Sequence, residues 1–106
     1  MFFSIIIPAI IDQKNFLFFK ECLDSINLQN FDKSKYEILI IENGSKYNLK
    51  IFIKQIKNRF KNLTLIKSKK KLGPGIARNF GLTKAKGKYV IFLDCDDLLP
   101  KYTLKK

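Results

Sequence analysis

The 106-residue chain contains no histidine, and its only cysteines, Cys22 and Cys95, are not arranged as CxxC. Without imidazole or paired thiols, neither a zinc site nor dithiol redox chemistry is suggested, and reduced thiols in a cytoplasmic protein are the default expectation. Long apolar runs are lacking too. The longest, Phe2 to Ile11, is interrupted by Ser4 and Pro8 and reaches about half the roughly 20 residues that a membrane-spanning helix requires. No basic stretch precedes it, so it does not read as a signal peptide. Arginine is scarce: Arg59 and Arg78 are the only two, and the other nineteen of the twenty-one basic residues are lysine. Nucleic-acid readers draw on the bidentate guanidinium, whereas lysine is a point charge and the commonest way to solvate a surface. The net charge of +12, nearly all lysine, therefore reads first as a solvated surface; nucleic acid is not the expected partner, with a basic nucleic-acid-binding domain kept as a rival reading. The run Lys67-Ser68-Lys69-Lys70-Lys71 could attract phosphate or an anionic membrane surface but reads first as a solvated loop, and it has no interleaved aromatics of the kind that single-stranded nucleic acid prefers.

What is present is apolar residues in a regular order. They make up 46% of the chain, enough to build one core but, over this length, not two. Phe3-Ser4-Ile5-Ile6-Ile7, closed by Pro8, predicts a β-strand buried on both faces. Phe16, Phe19, Leu23 and Ile26 then recur at three or four residues, which predicts a helix with one apolar face. Tyr36 to Ile41 predicts a second buried strand, stopped by Glu42-Asn43-Gly44-Ser45. A second helix comes next, with Leu49, Ile53, Ile56 and Phe60 inward and Lys50, Lys54, Lys57 and Lys61 outward. Leu63 to Ile66 predicts a third strand. Gly73-Pro74-Gly75 opens a third helix, since the fixed φ of proline suits a first turn, with Ile76, Ala77 and Phe80 inward and an end near Gly87. Tyr89 to Leu93 predicts a fourth strand. The order β-α-β-α-β-α-β implies a mostly parallel sheet, whose ligands bind outside the carboxyl ends of the strands.

Three constellations lie at those ends. Asp94, Asp96 and Asp97 crowd three carboxylates into four residues, which repel one another unless a cation intervenes. Magnesium or manganese would suit them, because such ions share protein carboxylates with substrate phosphates and offset the charge of a departing diphosphate. The alternative is an acidic strand end that merely caps the next stretch of backbone. Glu42-Asn43-Gly44-Ser45 offers a carboxylate and an amide for a base or ribose; taken alone it reads more readily as an ordinary turn. Gly73 to Gly81 would bring backbone close to a partner and aim Arg78 at a carboxylate or nucleotide oxygen, though it lacks both GxGxxG and a Walker Lys-Ser/Thr. A tight loop with a packed helix is an equal alternative.

Taken together, FSIIIP from Phe3, ECLDSI from Glu21, Tyr36 to Ser45, GPGIARNFG from Gly73 and GKYVIFLDCDD from Gly87 resemble, in order and over almost the whole chain, the family 2 glycosyltransferases of the GT-A fold. The resemblance implies a Rossmann-like α/β domain over residues 1–106, the N-terminal, nucleotide-sugar-binding half of such a fold, truncated after the DxD motif. It implies metal-dependent transfer of a sugar from a nucleotide diphosphate sugar, UDP-sugar first, to a saccharide or lipid-linked acceptor, usually with inversion. By motif position Pro8 and Ala9 would line the nucleoside pocket, with Glu42 and Asn43 at the base and Gly73 and Arg78 nearby. Asp94 would face the ribose and Asp96 the diphosphate and its Mn2+ or Mg2+, with Asp97 sharing the metal. Two departures stand out: Ile10 and Ile11 replace an aromatic and an Asn, and Glu42-Asn43 replaces Asp-Asp. No carboxylate follows Asp97, so the catalytic base is expected beyond Lys106, and the chain alone is expected to bind nucleotide weakly and transfer little sugar. A homo-oligomer, contact of the full enzyme with the inner face of a membrane, and a non-catalytic module that keeps the fold remain open alternatives.

Overall fold

In a computed structural model the structure describes residues 1–44, 48–60, 62–67 and 73–104. The elements follow the expected alternation: β1 (Phe3–Ala9), α1 (Phe16–Asn27), a 3-10 turn (Lys33–Lys35), β2 (Tyr36–Glu42), α2 (Leu49–Ile56), β3 (Leu63–Lys67), α3 (Pro74–Lys84) and β4 (Tyr89–Phe92). The four strands are all parallel in the order β3-β2-β1-β4, with Ile5 opposite Ile38 on one side and Ile91 on the other. The chain thus steps outward from β1 to β3 and then returns to the far side of β1. The order of strands reverses between β1 and β4.

Side chains alternate across a strand, so the Ile run of β1 feeds two cores. Ile5 and Ile7 join Ile38, Ile40, Phe19, Leu23, Ile26, Leu49 and Ile53 on the face covered by α1 and α2. Ile6 joins Leu39, Ile41 and Ala77 on the face covered by α3. Burial on both faces explains why β1 and β2 carry unbroken β-branched runs rather than an alternating pattern. Gly81 lets α3 sit close: a Cβ there would lie 2.6 Å from Ile6 Cγ2.

Several sequence expectations shift by local causes. β1 does not stop at Pro8 but pairs through Ala9, which is opposite Glu42. Phe2 and Ile6 carbonyls accept from Tyr89 and Leu93 N–H at 2.9 and 3.0 Å, so the even residues of β1 face β4. The missing N–H of Pro8 faces that side, past the last β1–β4 pair, Ile6 with Phe92, where proline interrupts no ladder bond. α2 ends at Ile56; Phe60 is buried, but from the turn beyond the helix. Asn48 caps α2, its side-chain oxygen accepting the Ile51 N–H at 3.3 Å, while Ser45, Lys61 and the basic run from Ser68 to Lys71 lie outside the described residues. α3 ends at Lys84, where Ala85 turns to ψ 136°, three residues short of Gly87. Ile76 points outward at 60% exposure, away from Ala77 and Phe80, which pack toward the sheet.

The segment after β4 is tied to α1. The Leu99 N–H donates to Ser25 Oγ at 2.9 Å, the Gln29 amide donates to the Pro100 carbonyl at 2.7 Å, and Leu104 N–H donates to Gln29 Oε1 at 3.2 Å. Leu99 and Leu104 are buried beneath these bonds.

Candidate functional site

The reversal of strand order opens a cleft outside the carboxyl ends of β1, β2 and β4, where side chains at or just beyond the three strand ends meet one from α3. It has a volume of ≈ 220 Å³ and is lined by Pro8, Ile10, Asn43, Arg78, Asp94 and Asp96, with Cys95 on its wall. Pockets that enclose a whole small molecule run to roughly 300–1,000 Å³, so this one suits part of a ligand whose remainder lies outside. A larger cavity of ≈ 560 Å³ lies where β2 begins, between Lys33, Tyr36, Arg59 and Asn62. It is lined by no carboxylate among the described residues and sits at the end of the sheet opposite to the one where ligands collect.

Each wall of the cleft has a local cause. After β1 the loop is held by two reciprocal side-chain caps. The Asp12 carboxylate accepts the N–H of Lys14 and Asn15 at 2.8 and 3.1 Å, and Asn15 accepts the Asp12 N–H at 2.8 Å while its amide donates to the Ile10 carbonyl at 2.9 Å. That loop turns Ile11 fully into the core and leaves Ile10 on the cleft. The two isoleucines that replace the expected aromatic and Asn therefore do different work. After β2, the Asn43 N–H donates to the Ala9 carbonyl at 2.8 Å, and Gly44 at φ 83° makes the turn that only glycine adopts without strain.

After β4, Leu93 N–H continues the ladder to Ile6, and the Asp97 N–H closes a turn onto the Asp94 carbonyl at 3.0 Å. From beneath, the buried thiol of Cys22 donates to the same carbonyl at 3.7 Å. Burial, with the Cys95 thiol and the carboxylates of Asp97, Asp96 and Asp94 adding to it, pushes the Cys22 thiol up to about 12, so it stays neutral. Burial raises Cys95 as well, opposed by a backbone hydrogen bond at Ile10. Neither cysteine is an activated nucleophile.

Arg78 reaches across from α3, its Nη2 lying 3.2 Å from Asp94 Oδ1. Both groups are well exposed, so the pair adds only about 0–1 kcal/mol to stability. Its effect is to orient the first aspartate and to put a positive charge beside the cleft. Asp96 and Asp97 are exposed. Among the described residues no group of three or more acidic, thiol or imidazole side chains converges as a metal cage. Two open carboxylates suit a hard divalent ion that takes its remaining oxygens from a diphosphate and water, rather than an ion enclosed by protein.

The cleft thus brings together Pro8, Asn43, Arg78, Asp94 and Asp96. Ala9 and Glu42 lie beside it, paired across the β1–β2 ladder and buried, but do not line it. Gly73 is the exposed N-cap of α3, and Asp97 closes the turn; neither lines the cleft. Ile10 and Cys95 were not marked as site residues by the sequence. Cys95 could have been, because the second position of a four-residue turn between aspartates shares their edge.

The family model described as Glycosyl transferase family 2 matches residues 4–106. Among curated proteins the chain is 34% identical over 95 residues to glycosyltransferase AglE of Haloferax volcanii, covering 90% of this chain and 30% of that one. It is 30% identical over 105 residues to the poly(ribitol-phosphate) beta-N-acetylglucosaminyltransferase TarS of Staphylococcus aureus, covering 99% of this chain and 18% of that one. The structure of TarS 1-349 in complex with UDP-GlcNAc superposes with a TM-score of 0.87 at 31% identity, covering 99% of this chain and 29% of that one. A mannosyltransferase of Pyrobaculum calidifontis, solved with GDP-Man and Mn2+, shares the fold at a TM-score of 0.79 and 24% identity, over 92% of this chain and 28% of that one. The chain spans less than a third of the length of each of these proteins.

Proposed function

Since this chain belongs to glycosyl transferase family 2, we propose that it forms the donor-binding region of a glycosyltransferase, holding the nucleoside diphosphate of a nucleotide sugar across the carboxyl ends of β1, β2 and β4. The observation that carries this reading is the meeting of Pro8, Asn43, Arg78, Asp94 and Asp96 in one cleft where the strand order reverses. Pro8 and Ile10 offer an apolar wall to a base, with Asn43 at its polar end. Arg78 and Asp94 flank the ribose and the first phosphate, and Arg78 supplies a charge-assisted bond to an anionic oxygen. Asp96 and Asp97 face outward, where a divalent ion brought with the diphosphate would rest. That ion would offset charge on the departing diphosphate.

A cleft too small for a whole nucleotide sugar leaves the sugar outside it, toward the acceptor. Every carboxylate at this edge is placed on the donor side, so none of these residues is assigned the deprotonation of an acceptor hydroxyl. The 106-residue chain is therefore expected to bind donor without turning it over. UDP is the first probe to use, because UDP-GlcNAc is the ligand of the TarS structure.

Calorimetric titration with UDP, with and without Mn2+, tests the reading. Metal-dependent binding is expected, weakened at least about tenfold in Asp96→Ala, the worth of one charge-assisted contact. The absence of binding to UDP, GDP or any other nucleoside diphosphate would sink it and favour a non-catalytic module on the same fold.

A further inference from the structure

The first turns of α1 and α2 lie side by side at the edge of the sheet that carries the cleft. The rings of Phe16 and Phe52 meet edge to face at 5.0 Å, and Phe19 touches Phe52 at 6.0 Å, which buries the contact between the helices. The residues next to these rings point the other way. Leu17 is 66% exposed, Phe18 53% and Ile51 56%, and Ile10 on the adjoining loop is 40% exposed. Scattered apolar residues are ordinary on a surface, but four large ones on neighbouring turns are not.

The exposed charges around them are mainly basic. Lys14, Lys20, Lys50 and Lys54 are all exposed, and Lys20 Nζ lies 5.9 Å from the Phe16 ring, its stem running along the aromatic surface. Nearby acids are largely engaged: the Asp12 carboxylate accepts two backbone N–H groups, and Asp24 pairs with Arg59 at 2.7 Å. Glu21 is the exposed exception. No helix among the described residues is long and apolar enough to cross a membrane. Exposed apolar side chains on neighbouring helix starts, with flexible lysines on the same turns, can instead lie in the interface, the apolar groups among the acyl chains and the lysines at anionic headgroups.

We infer that the first turns of α1 and α2, through Leu17, Phe18 and Ile51 with Lys14, Lys20, Lys50 and Lys54, form a docking surface for an anionic lipid membrane. The surface adjoins the cleft through Ile10, so docking would hold the cleft close to the headgroups. This assignment does not depend on what the cleft binds.

Sedimentation of the full chain with phosphatidylcholine vesicles containing about one third phosphatidylglycerol tests it. Partitioning is expected to weaken about tenfold or more on omission of phosphatidylglycerol, in L17S/F18S/I51S, and in the variant with all four lysines changed to Gln. The side chains changed are exposed, so the unfolding midpoint should stay close to that of the parent. A second readout is independent of affinity: the indole of Phe18→Trp should be quenched by lipids brominated on the acyl chain. Failure to partition onto anionic vesicles overturns the inference. So does partitioning that survives in the apolar triple variant, which would reduce it to the general attraction of a chain with charge +12. Absence of quenching in bound Phe18→Trp also overturns it.

Discussion

Gly87 is the position where one added carbon should cost most. A Cβ there would lie 2.5 Å from the Ser4 nitrogen and 2.6 Å from both the Phe3 carbonyl carbon and Ser4 Oγ. Ordinary contacts between such atoms are roughly 3.5–4.0 Å, so about 1 Å of separation must be found. The obstacle is the backbone of β1, which is paired on both sides and cannot move alone. Overpacking of this size costs about 1–3 kcal/mol. Moving Gly87 also breaks its N–H bond to Ser4 Oγ at 2.7 Å and disturbs the bond from that hydroxyl to Glu37 at 2.6 Å. Glu37 is only 8% exposed, and a buried polar group left short of a partner costs roughly another 1–3 kcal/mol. Gly87→Ala should therefore lose about 2–6 kcal/mol, a large part of the roughly 5–15 kcal/mol that holds a domain together. At about 4–8 °C per kcal/mol the melting temperature should fall by something on the order of 10–50 °C. The chain has no tryptophan, so urea unfolding would be followed by far-ultraviolet circular dichroism. A loss under about 0.5 kcal/mol, the range of an ordinary surface change, would refute the argument.

Gly75 is the converse case: a Cβ there meets nothing within 4 Å, so Gly75→Ala should gain about 0.4–1 kcal/mol in urea unfolding by restricting the unfolded chain. Arg78→Gln breaks an exposed ion pair and should change stability by no more than about 1 kcal/mol, while calorimetry should show about tenfold weaker binding of UDP through the lost charge-assisted bond. Stability should also fall at alkaline pH. The Cys22 thiol is held neutral up to about 12 in the fold but ionises near its ordinary value of 9.0 once unfolded. Its contribution is therefore complete below pH 9 and is lost as pH rises from there toward 12, at up to about 1.4 kcal/mol per pH unit. Urea midpoints measured between pH 8 and pH 10 should decline less steeply in Cys22→Ala; an unchanged slope would contradict this assignment.

The elements were legible where burial is complete. Ile5 to Ile7 and Tyr36 to Ile41 read as strands because a strand covered on both faces leaves no polar positions to blur the pattern. Phe19, Leu23 and Ile26 marked α1 for the complementary reason. Boundaries were less legible. Nothing local in Pro8 says that its missing N–H would face the side where β4 has already ended, and Gly87 looked like a helix stop because its real constraint, the backbone of β1, lies 83 residues away.

The candidate site divides in the same way. Asp94, Asp96, Asn43 and Arg78 could be nominated from the chain alone, because acidic, amide and guanidinium side chains at strand ends are chemically conspicuous at any spacing. Tertiary structure decided which of the nominees meet. Parallel pairing around β1 brings Asn43 and Asp94 to one cleft, turns Glu42 and Ala9 into the ladder beside it, and adds Ile10 and Cys95, whose types carry no signal. Composition and periodicity are properties of neighbouring residues and are complete in the sequence. A cleft at the reversal of strand order depends on which strands become neighbours, and that was settled only when β4 returned to the far side of β1.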